Sequence, residues 1–392
     1  MSKSRHKLKI LFITSSNAGT AFYRMWQFRE YMLHHKLVKM AAMPWFHYSN
    51  IYAQPWQWDN PSDYGSFPCQ VLKQRISEVD VVVVQYLHTM EALVLIESLK
   101  QGLKDSGHDI PFLTEIDDYI HETPVDFECF DAYKPGNKYR TVVEEQLKSL
   151  DGAIVSTPFL KEVYSELNPN IYVVPNAIDF GQWGKFERKQ FKNHVRIGWS
   201  GGASHNADLA TIEEPVKKYL EDNQGVELHV NYGIPDAFKN QPKIVCHKHW
   251  THMNKYPKHM ANLGFDIGLC PLQPNDFKKA KSNLRRLEYA ALKIPFLGQK
   301  WGHLEETTTH GKDGFLYENE EGFVKYLDIL VKNKELRTAM GEHNYLTAKR
   351  DFSLANVANL YVEVLQEAAD RGQTTTIDMG RDKWTALQPA VS

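Results

Sequence analysis

The feature that most constrains the fold is a series of short apolar runs without polar alternation. Clear examples are residues 9–14, 80–86 and 152–156, each followed by a loop and then by a stretch with helical spacing. Strands that are apolar along their whole length are buried on both faces, which is typical of parallel sheets covered by helices. The repeated order of strand and helix therefore predicts an α/β protein with doubly wound sheets.

The length of the chain predicts two domains. Its 392 residues are too many for one ordinary hydrophobic core. The strand–helix rhythm pauses in a polar, basic segment and restarts at Val195. We place the first domain at 1–180, a linker at 181–194, the second domain at 195–351, a closing helix at 352–370 and an irregular tail at 371–392.

Charge, cysteine content and hydropathy exclude several classes of protein. The net charge is −2, which gives no overall attraction to nucleic acid or membrane. The four cysteines lie far apart without a zinc-binding spacing, so we expect reduced thiols and a cytoplasmic protein, in the host cytoplasm if a phage encodes it. No run approaches the ~18 apolar residues that a membrane helix needs.

The stretch 265–295 has the composition of an anion site. An apolar strand is followed by a loop, a cluster of lysines and arginines and an amphipathic helix. The start of a helix attracts anions, Ser282 could cap it, and Lys281 with an arginine could neutralise phosphate oxygens. Glu288 only accepts hydrogen bonds when ionised and suits a ribose diol. The alternative is a solvated basic face, and at least one of the adjacent Arg285 and Arg286 should then lie at the surface.

Other loops of the second half are expected to contact the same ligand. Gly201 and Gly202 follow an apolar strand and allow a close backbone approach. Tyr232 ends another strand, where it can flank a nucleobase. The loop 271–277 follows the central strand, and we expect its residues Pro271, Leu272 and Asn275 to line the same site.

In the first half, charged residues follow a buried strand. Asp117, Asp118 and His121 come directly after 110–116 and should lie at the ligand edge of the sheet. The alternative is an aspartate pair that caps the next helix. One aspartate pair is not a coordination set, so we predict no metal. Arg24 lies one turn into the first helix, and the pattern leaves open whether it faces the cleft or the surface.

The region 44–68 is dense in aromatic residues and prolines without a regular period. One interpretation is a long loop that packs its own aromatic side chains. The other is a wall for the acceptor, in which Trp45 and Trp56 would stack on a sugar or a base.

Together these motifs resemble the GT-B glycosyltransferases, in particular the GT4-like retaining group. The resemblance covers nearly the whole chain and is carried by the ordered set KILFITSSNAGTAFYR, EIDDYI, AIVSTPFL, YVVPNAID, RIGWSGGASHNADL and the stretch 265–295. It implies two Rossmann-like domains that face each other across a nucleotide-sugar cleft, with the last helix crossing back onto the first domain. The donor would be a UDP-, GDP- or ADP-sugar, with no other cofactor.

The resemblance also assigns residues. Glu288 matches the glutamate that binds the donor ribose, and Lys281 with Ser282 matches the segment that touches the diphosphate. The other matched positions are two glycine-containing loops, Gly19 and Gly201-Gly202 with His205, and a hinge at Pro175, Asn176 and Asp179.

The chain departs from the family pattern at two places. Ala280 stands where relatives carry a second acidic residue, so Asn275 or Asp276 would have to contact the sugar. Asp117 and Asp118 stand where many relatives carry a histidine, with His121 close by but not aligned.

These observations predict a metal-independent transferase that moves a sugar to an acceptor hydroxyl with retention of configuration. Lys281, Arg285 and the Gly201-Gly202 loop would stabilise the departing diphosphate. Asp117, Asp118 or His121 would orient donor or acceptor. The acceptor is a glycan or, alternatively, a hydroxymethylated DNA base bound through the basic linker. The same fold also suits a nucleotide-sugar epimerase or a non-catalytic module that binds sugar nucleotides.

Overall fold

The chain was analysed as a computed structural model that describes residues 7–14, 19–42, 77–125, 127, 130–202, 205–248 and 251–371. The described residues divide into two compact units. The first unit takes the chain as far as His121, then Asp131–Pro175, and then the chain from Leu354 onward. The second unit is formed by Glu122–Phe130 and Asn176–Ser353.

Each unit contains one sheet of six parallel strands among its described residues. The strands of the first unit are β1 Lys9–Ile13, β2 Met40–Ala42, β3 Val81–Gln85, β4 Phe112–Ile116, β5 Gly152–Val155 and β6 Ile171–Val173. Those of the second unit are β7 Val195–Gly201, β8 Val226–Tyr232, β9 Ile244–His247, β10 Ile267–Cys270, β11 Phe296–Gln299 and β12 Gly314–Tyr317.

The helices connect these strands and cover both faces of the sheets. In chain order they are α1 Gln27–His34, α2 Met90–Asp105, α3 Phe130–Tyr133, α4 Lys138–Ser149, α5 Pro158–Tyr164, α6 Phe180–Trp183, α7 Asn206–Ala210, α8 Glu213–Asp222, α9 Tyr256–Leu263, α10 Asp276–Lys279, α11 Leu284–Ala291, α12 Gly302–Glu306, α13 Glu320–Lys332, α14 Lys334–Phe352 and α15 Leu354–Arg371.

The two sheets have different strand orders. The first runs β2-β1-β3-β4-β5-β6, so its order reverses between β1 and β3. The second runs β12-β11-β10-β7-β8-β9, which is the Rossmann order and reverses between β10 and β7. Loops that follow strands on the two sides of such a reversal diverge and leave a crevice, which is where ligands bind in open α/β sheets.

Most strands are buried because they are rich in apolar residues. Every residue of β3, β4 and β10 is buried, including Thr114 and Glu115 of β4, and the polar Glu115 is paired with Arg24. Helix α15 belongs to the first unit, where its Tyr361 ring packs edge-on against Phe12 and Phe28. The predicted fold class is confirmed: the chain has two units of doubly wound α/β structure.

Sequence reasoning missed several elements, among them β2 and α14, and simplified the linker. The three-residue strand β2 is too short to show a pattern, and α14 was not recognised because the face that it buries includes Gly341 and Asn344 and has little apolar contrast. The segment predicted as a linker is packed into the second unit. Its Arg188 donates to the carbonyl of Phe265 and pairs with Asp266 at 2.8 Å, and just before it Asp179 caps α6.

Candidate functional site

The reversal point of the second sheet gathers most of the predicted donor residues. Strands β7 and β10 pair in parallel, with Ile197 opposite Ile267, so the loops that follow their carboxyl ends emerge side by side. The loop after β7 contains Gly201, Gly202 and His205, and the loop after β10 leads into α10 and α11. The sequence-predicted residues of 201–205 and 271–288 are therefore brought to one edge of one sheet.

Arg285 is the cation held at this edge. Its Nε donates to the carbonyl of Ser200 at 2.9 Å, and its guanidinium carbon lies 5.2 Å from the centre of the Trp199 ring. It is half-buried, and it forms no ion pair with any residue that the structure describes. A Cβ added at Gly201 would lie 2.7 Å from the Trp199 ring and 2.9 Å from the guanidinium, so the glycine leaves room for both side chains.

The neighbouring Arg286 corrects the expectation that one of the two arginines lies at the surface. Its side chain is buried against α14, where Nε donates to Asn344 and the guanidinium pairs with Asp313 at 3.3 Å. It also donates to the carbonyl of Thr307. Adjacent residues of a helix point in different directions, and here one direction is the sheet edge and the other the interior.

The start of α11 differs from the prediction. The N-cap residue is Asn283 rather than Ser282, and no side chain caps the helix among the described residues. The Ser282 hydroxyl instead accepts a hydrogen bond from the Asn176 amide at 2.7 Å. The Lys281 ammonium lies 4.5 Å from the centre of the Phe277 ring, in a cation–π contact.

Glu288 is the carboxylate predicted to bind ribose, and it is buried on α11. Its Oε2 accepts a hydrogen bond from the Tyr256 hydroxyl at 3.3 Å, and the same hydroxyl lies 2.9 Å from the Ser200 hydroxyl. The Asn231 side-chain amide donates to the Ser200 hydroxyl, and His259 Nε2 lies 3.0 Å from the side-chain oxygen of Asn231. A chain of polar side chains from β7, β8 and α9 thus ends on the Glu288 carboxylate.

A second polar group at this edge escaped the sequence analysis. We call it the Asp208 cluster, formed by Asp208, His205, Lys278 and the backbone N–H of Gln273. One carboxylate oxygen of Asp208 lies 2.9 Å from His205 Nδ1 and 2.8 Å from the Lys278 ammonium, and the other accepts from Gln273 N at 3.1 Å. Asp208 and Lys278 are both buried. The available signal was a carboxylate three residues after the histidine at the start of a helix.

Protonation in the Asp208 cluster follows from burial and charge. Burial opposes ionisation of Asp208, but the hydrogen bond from His205 and the charge of Lys278 outweigh it and lower the pKa of the carboxyl to about 2. Burial also lowers the pKa of His205 to about 4, assisted by the charges of Arg285 and Lys278 and opposed by Asp208. At neutral pH the cluster is a carboxylate–ammonium pair with a neutral imidazole.

The loop after β10 is held by its own polar groups. Pro271 is buried and Leu272 half-buried. The Asn275 side-chain oxygen caps α10 by accepting from Lys278 N, and the Trp301 indole donates to the Asn275 carbonyl. The Asn275 side chain is thus already engaged, and its predicted contact with the sugar stays a prediction.

Tyr232 occupies the end of β8 as predicted. It is 46% exposed, and its φ of 78° is unusual for a residue with a side chain. The next residue, Gly233, donates its N–H to the Gly201 carbonyl at 2.8 Å, which ties this strand end to the end of β7. Non-glycine residues held in this backbone region cluster at functional sites.

In the first unit, Arg24 is neither at a cleft nor at the surface, which corrects both expectations for it. The side chain is fully buried in a π-helical turn, Phe22–Trp26, and its Nε pairs with Glu115 at 2.6 Å. It also donates to the carbonyl of Val174. Burial lowers the pKa of Arg24, but the carboxylates of Glu115 and Asp117 raise it by more, so the guanidinium stays charged. This environment gives no support to the predicted acceptor contact.

The predicted acidic segment follows β4 and separates into two environments. Asp117 lies close enough to Arg24 to act on it electrostatically. The carbonyl of Asp118 accepts from the Tyr164 hydroxyl at 2.7 Å. His121 Nε2 lies 3.0 Å from a Glu144 carboxylate oxygen, and its ring lies 5.6 Å from the ring of Tyr164. The catalytic roles of these three residues stay predictions.

The remaining predicted residues, Gly19 and Gly202, make few contacts that bear on the site. Gly19 begins the first helical segment with open space where a Cβ would lie, and the carbonyl of Gly202 accepts from His205 N. Trp45 and Trp56 lie outside the described residues.

No group of three or more His, Cys, Asp or Glu side chains in the described ranges could hold a metal ion. Within the same ranges, no helix is both long and apolar enough to cross a membrane.

Comparison with known proteins identifies the fold. Residues 225–363 match a protein-family model described as glycosyl transferase-like. HepE from Anabaena, solved with UDP and glucose, matches with a TM-score of 0.61 and 13% identity over 92% of this chain and 100% of its own. Sucrose-phosphate synthase from Thermosynechococcus elongatus matches with a TM-score of 0.62 and 12% identity, over 92% of this chain and 99% of its own. A glycosyltransferase from Rickettsia africae matches with a TM-score of 0.62 and 14% identity, over 92% of this chain and 98% of its own.

The GT-B fold predicted from the sequence is confirmed by these structures, and the glycosyl transferase-like model that matches residues 225–363 agrees with the predicted resemblance. A search among curated proteins finds no match. HepE is described in complex with UDP and glucose, and none of the three structures named above is described with DNA, so they lend no support to the alternative of a DNA acceptor.

Proposed function

We propose that this protein transfers a sugar from a nucleoside diphosphate sugar to an acceptor hydroxyl, with retention of configuration and without a metal ion. The observation that carries the proposal is the placement of Arg285. It is a guanidinium held at the reversal point of a Rossmann sheet and paired with no carboxylate among the described residues. A cation fixed in this way has its charge available for an anionic ligand.

The chemistry of the reaction explains why that charge matters. When the bond between sugar and phosphate breaks, negative charge accumulates on the departing diphosphate. Cations and N–H dipoles already in position stabilise this charge without reorganising, which is often the largest catalytic contribution. Arg285, Lys281 and the Gly201-Gly202 loop supply such groups, and together they would take the place of a metal ion.

Glu288 completes the donor site in this proposal. Its carboxylate is buried at the same helix as Arg285, and a chain of hydroxyl and amide groups supports it. A carboxylate accepts hydrogen bonds from both hydroxyls of a ribose and would repel a phosphate. The helix thus places an acceptor for the ribose about one turn beyond the cation for the diphosphate.

The donor test is a measurement of nucleoside diphosphate release. The purified protein is incubated with UDP-, GDP- and ADP-sugars in the presence of EDTA. UDP-glucose leads the panel because HepE was also solved with this compound. We expect release from one donor, loss of release in Glu288→Gln, and no change in Glu342→Gln, a matched substitution of a surface glutamate that pairs with Lys293.

The acceptor panel separates a glycan from DNA. Oligosaccharides and duplex DNA with hydroxymethylated bases are added to the active donor, and the anomeric configuration of the product is read by NMR. Stimulation by a glycan with retention supports the proposal as stated. Stimulation by the DNA alone would replace the glycan as acceptor. In the basic segment on which DNA binding would depend, Arg188 is already paired with Asp266.

Two outcomes would overturn the proposal. Conversion of the donor into an isomeric nucleotide-sugar without transfer would indicate an epimerase. Tight nucleotide binding with no turnover of any donor, with or without acceptor, would indicate a binding module. Loss of activity with EDTA that added Mg²⁺ restores would contradict the metal-independent mechanism alone.

A further inference from the structure

The Asp208 cluster contains a histidine whose orientation is fixed by a buried carboxylate. An ionised carboxylate can only accept hydrogen bonds, so the bond between His205 Nδ1 and Asp208 requires that Nδ1 carry the hydrogen. In the neutral imidazole the other nitrogen, Nε2, then carries a lone pair. The side chain is 25% exposed, and Nε2 has no hydrogen-bond partner among the described residues.

A diphosphate bound next to Nε2 would be repelled by this lone pair. Two groups that only accept hydrogen bonds repel each other, whereas a protonated imidazole donates from both nitrogens. Protonated His205 could therefore bond to Asp208 through Nδ1 and to a phosphate oxygen through Nε2 at the same time. The proton would come from solvent, and no covalent bond would form or break.

We propose that binding of a nucleoside diphosphate at this edge is coupled to uptake of one proton by His205, and that Asp208 is the positioning residue for this uptake. The inference rests on the proposed function, since it takes the donor's diphosphate as the anion. It deepens that function by making donor and product affinity depend on pH through one named residue.

The charges around His205 set the direction of the effect. Asp208 on α7 favours the imidazolium, while Lys278 on α10 and Arg285 on α11 oppose it. Without a ligand, burial and the two cations prevail, and the pKa of His205 is about 4. A diphosphate brings negative charge that offsets the two cations, so its binding raises the pKa of His205.

Linkage converts this rise into a measurable dependence of affinity on pH. Because the complex holds one more proton than the empty site, affinity falls as pH rises through the pKa of the complex. The loss is at most about tenfold per pH unit. The terminal phosphate of the nucleotide also titrates near pH 6. The contribution of His205 must therefore be measured as a difference between variants that bind the same nucleotide.

The test is calorimetric titration of the whole protein with UDP, GDP and ADP at pH 6 in two buffers of different ionisation enthalpy. The dependence of the heat on the buffer counts protons taken up on binding. We expect wild type to take up about one proton more than His205→Gln, which keeps a hydrogen-bond donor but cannot titrate. The matched control is His343→Gln. His343 Nδ1, on α14, also bonds a carboxylate, that of Asp313, but Asp313 directly precedes β12 and so lies at the amino end of that strand.

The Asp208→Asn variant tests the positioning role. Its amide oxygen can still accept from His205 Nδ1, but the charge that favours the imidazolium is gone. We expect nucleotide binding without the additional proton. Uptake equal to that of wild type would overturn the role of Asp208. If this variant does not fold because Lys278 is left unpaired, the comparison between wild type and His205→Gln still decides whether His205 takes up the proton.

Failure of the inference can be distinguished from failure of the proposed function. If a nucleotide binds with the same proton uptake in wild type and His205→Gln, the inference is overturned and the transferase proposal stands. If none of the three nucleotides binds and no donor is turned over, the proposed function is overturned, and the inference falls with it.

Discussion

Both units place an arginine near the carboxyl end of a parallel strand, but with different neighbours. In the first unit, Arg24 is fully buried and paired with Glu115 on β4 at 2.6 Å. In the second unit, Arg285 is half-buried, donates to a backbone carbonyl and lies over Trp199, and it is paired with no carboxylate among the described residues. The same residue type therefore serves stability in one sheet and is available for ligand binding in the other.

The difference shows which property separates a structural arginine from a functional one. A buried guanidinium requires a fixed negative partner, and that partner uses the charge. A guanidinium that is held by neutral groups keeps its charge for an anion that arrives later. Position at a sheet edge applies to both arginines, so position alone does not identify the functional one.

The largest effect is expected from Arg24→Met, which leaves the buried Glu115 without its partner. Removing one member of a buried ion pair typically costs about 3–5 kcal/mol. The measurement is the free energy of unfolding from urea titration. Arg285→Met is the matched control in the second unit, and we expect it to lose less than about 1 kcal/mol, because no buried charge is left unpaired. Equal losses in the two variants would break the comparison.

In an activity assay, the order of the two effects should reverse, so that Arg285→Met loses more than Arg24→Met. Arg285→Met removes a cation that, in our proposal, stabilises the departing diphosphate. We expect the rate of nucleoside diphosphate release to fall about 10²–10³-fold. Arg24→Met, assayed at a temperature where it remains folded, should retain a rate near that of wild type. A large rate loss in folded Arg24→Met would instead give the first-unit arginine a direct role.

One histidine in each unit is expected to have a smaller effect, on the pH dependence of the unfolding free energy. Burial lowers the pKa of both His88 and His205 to about 4. Since the unfolded chain binds protons at these residues below about pH 6.5 and the folded chain does not, stability falls as the pH falls from about 6.5 to 4. Each histidine contributes at most about 1.4 kcal/mol per pH unit to that slope.

Substitution by glutamine separates the two histidines. Both His88→Gln and His205→Gln should lower the dependence of the unfolding free energy on pH between about pH 6.5 and 4. The titration of UDP itself affects both variants alike. Added UDP should therefore reduce this pH dependence more in the variant where His205 is intact, because binding raises the pKa of that residue. A ligand effect that persists in His205→Gln but disappears in His88→Gln would assign the nucleotide to the first unit.

The sequence predicted the elements better than the side-chain environments. The alternating apolar residues of β8, Val226–Tyr232, and the helical spacing of α9, Tyr256–Leu263, can be recognised in the sequence because each leaves a regular pattern. Helix α14 was missed because the face that it buries includes Gly341 and Asn344 beside its apolar residues and so has little apolar contrast.

The candidate site was predicted only as far as residue type and loop position allow. Glu288, Arg285 and His205 were recognised because they belong to motifs at strand ends. Asp208 and Lys278 were not, because their pairing joins residues 70 positions apart and depends on how α7 and α10 pack. The burial of Arg24 was missed for the same reason, since Glu115 lies 91 residues away on β4.

The smallest expected effect comes from removing the hydroxyl of a buried tyrosine, and each unit offers one such residue. In the second unit, the Tyr256 hydroxyl lies between Ser200 and Glu288. In the first unit, the Tyr361 hydroxyl is buried without a hydrogen-bond partner among the described residues. Removing a hydroxyl that supports a buried carboxylate costs about 0.5–1.5 kcal/mol, whereas removing an unpaired one should cost nothing or slightly stabilise the fold.

Tyr256→Phe should therefore weaken donor binding about two- to tenfold, seen as a higher KM with little change in kcat, because Glu288 contacts the ribose rather than the reacting bond. Tyr361→Phe should change neither constant. If Tyr256→Phe lowered kcat and left KM unchanged, Glu288 would act in the transition state, and its assignment to the ribose would be wrong. If both variants raised KM equally, the loss would arise from general loosening, and the hydrogen-bonded chain to Glu288 would have no specific role.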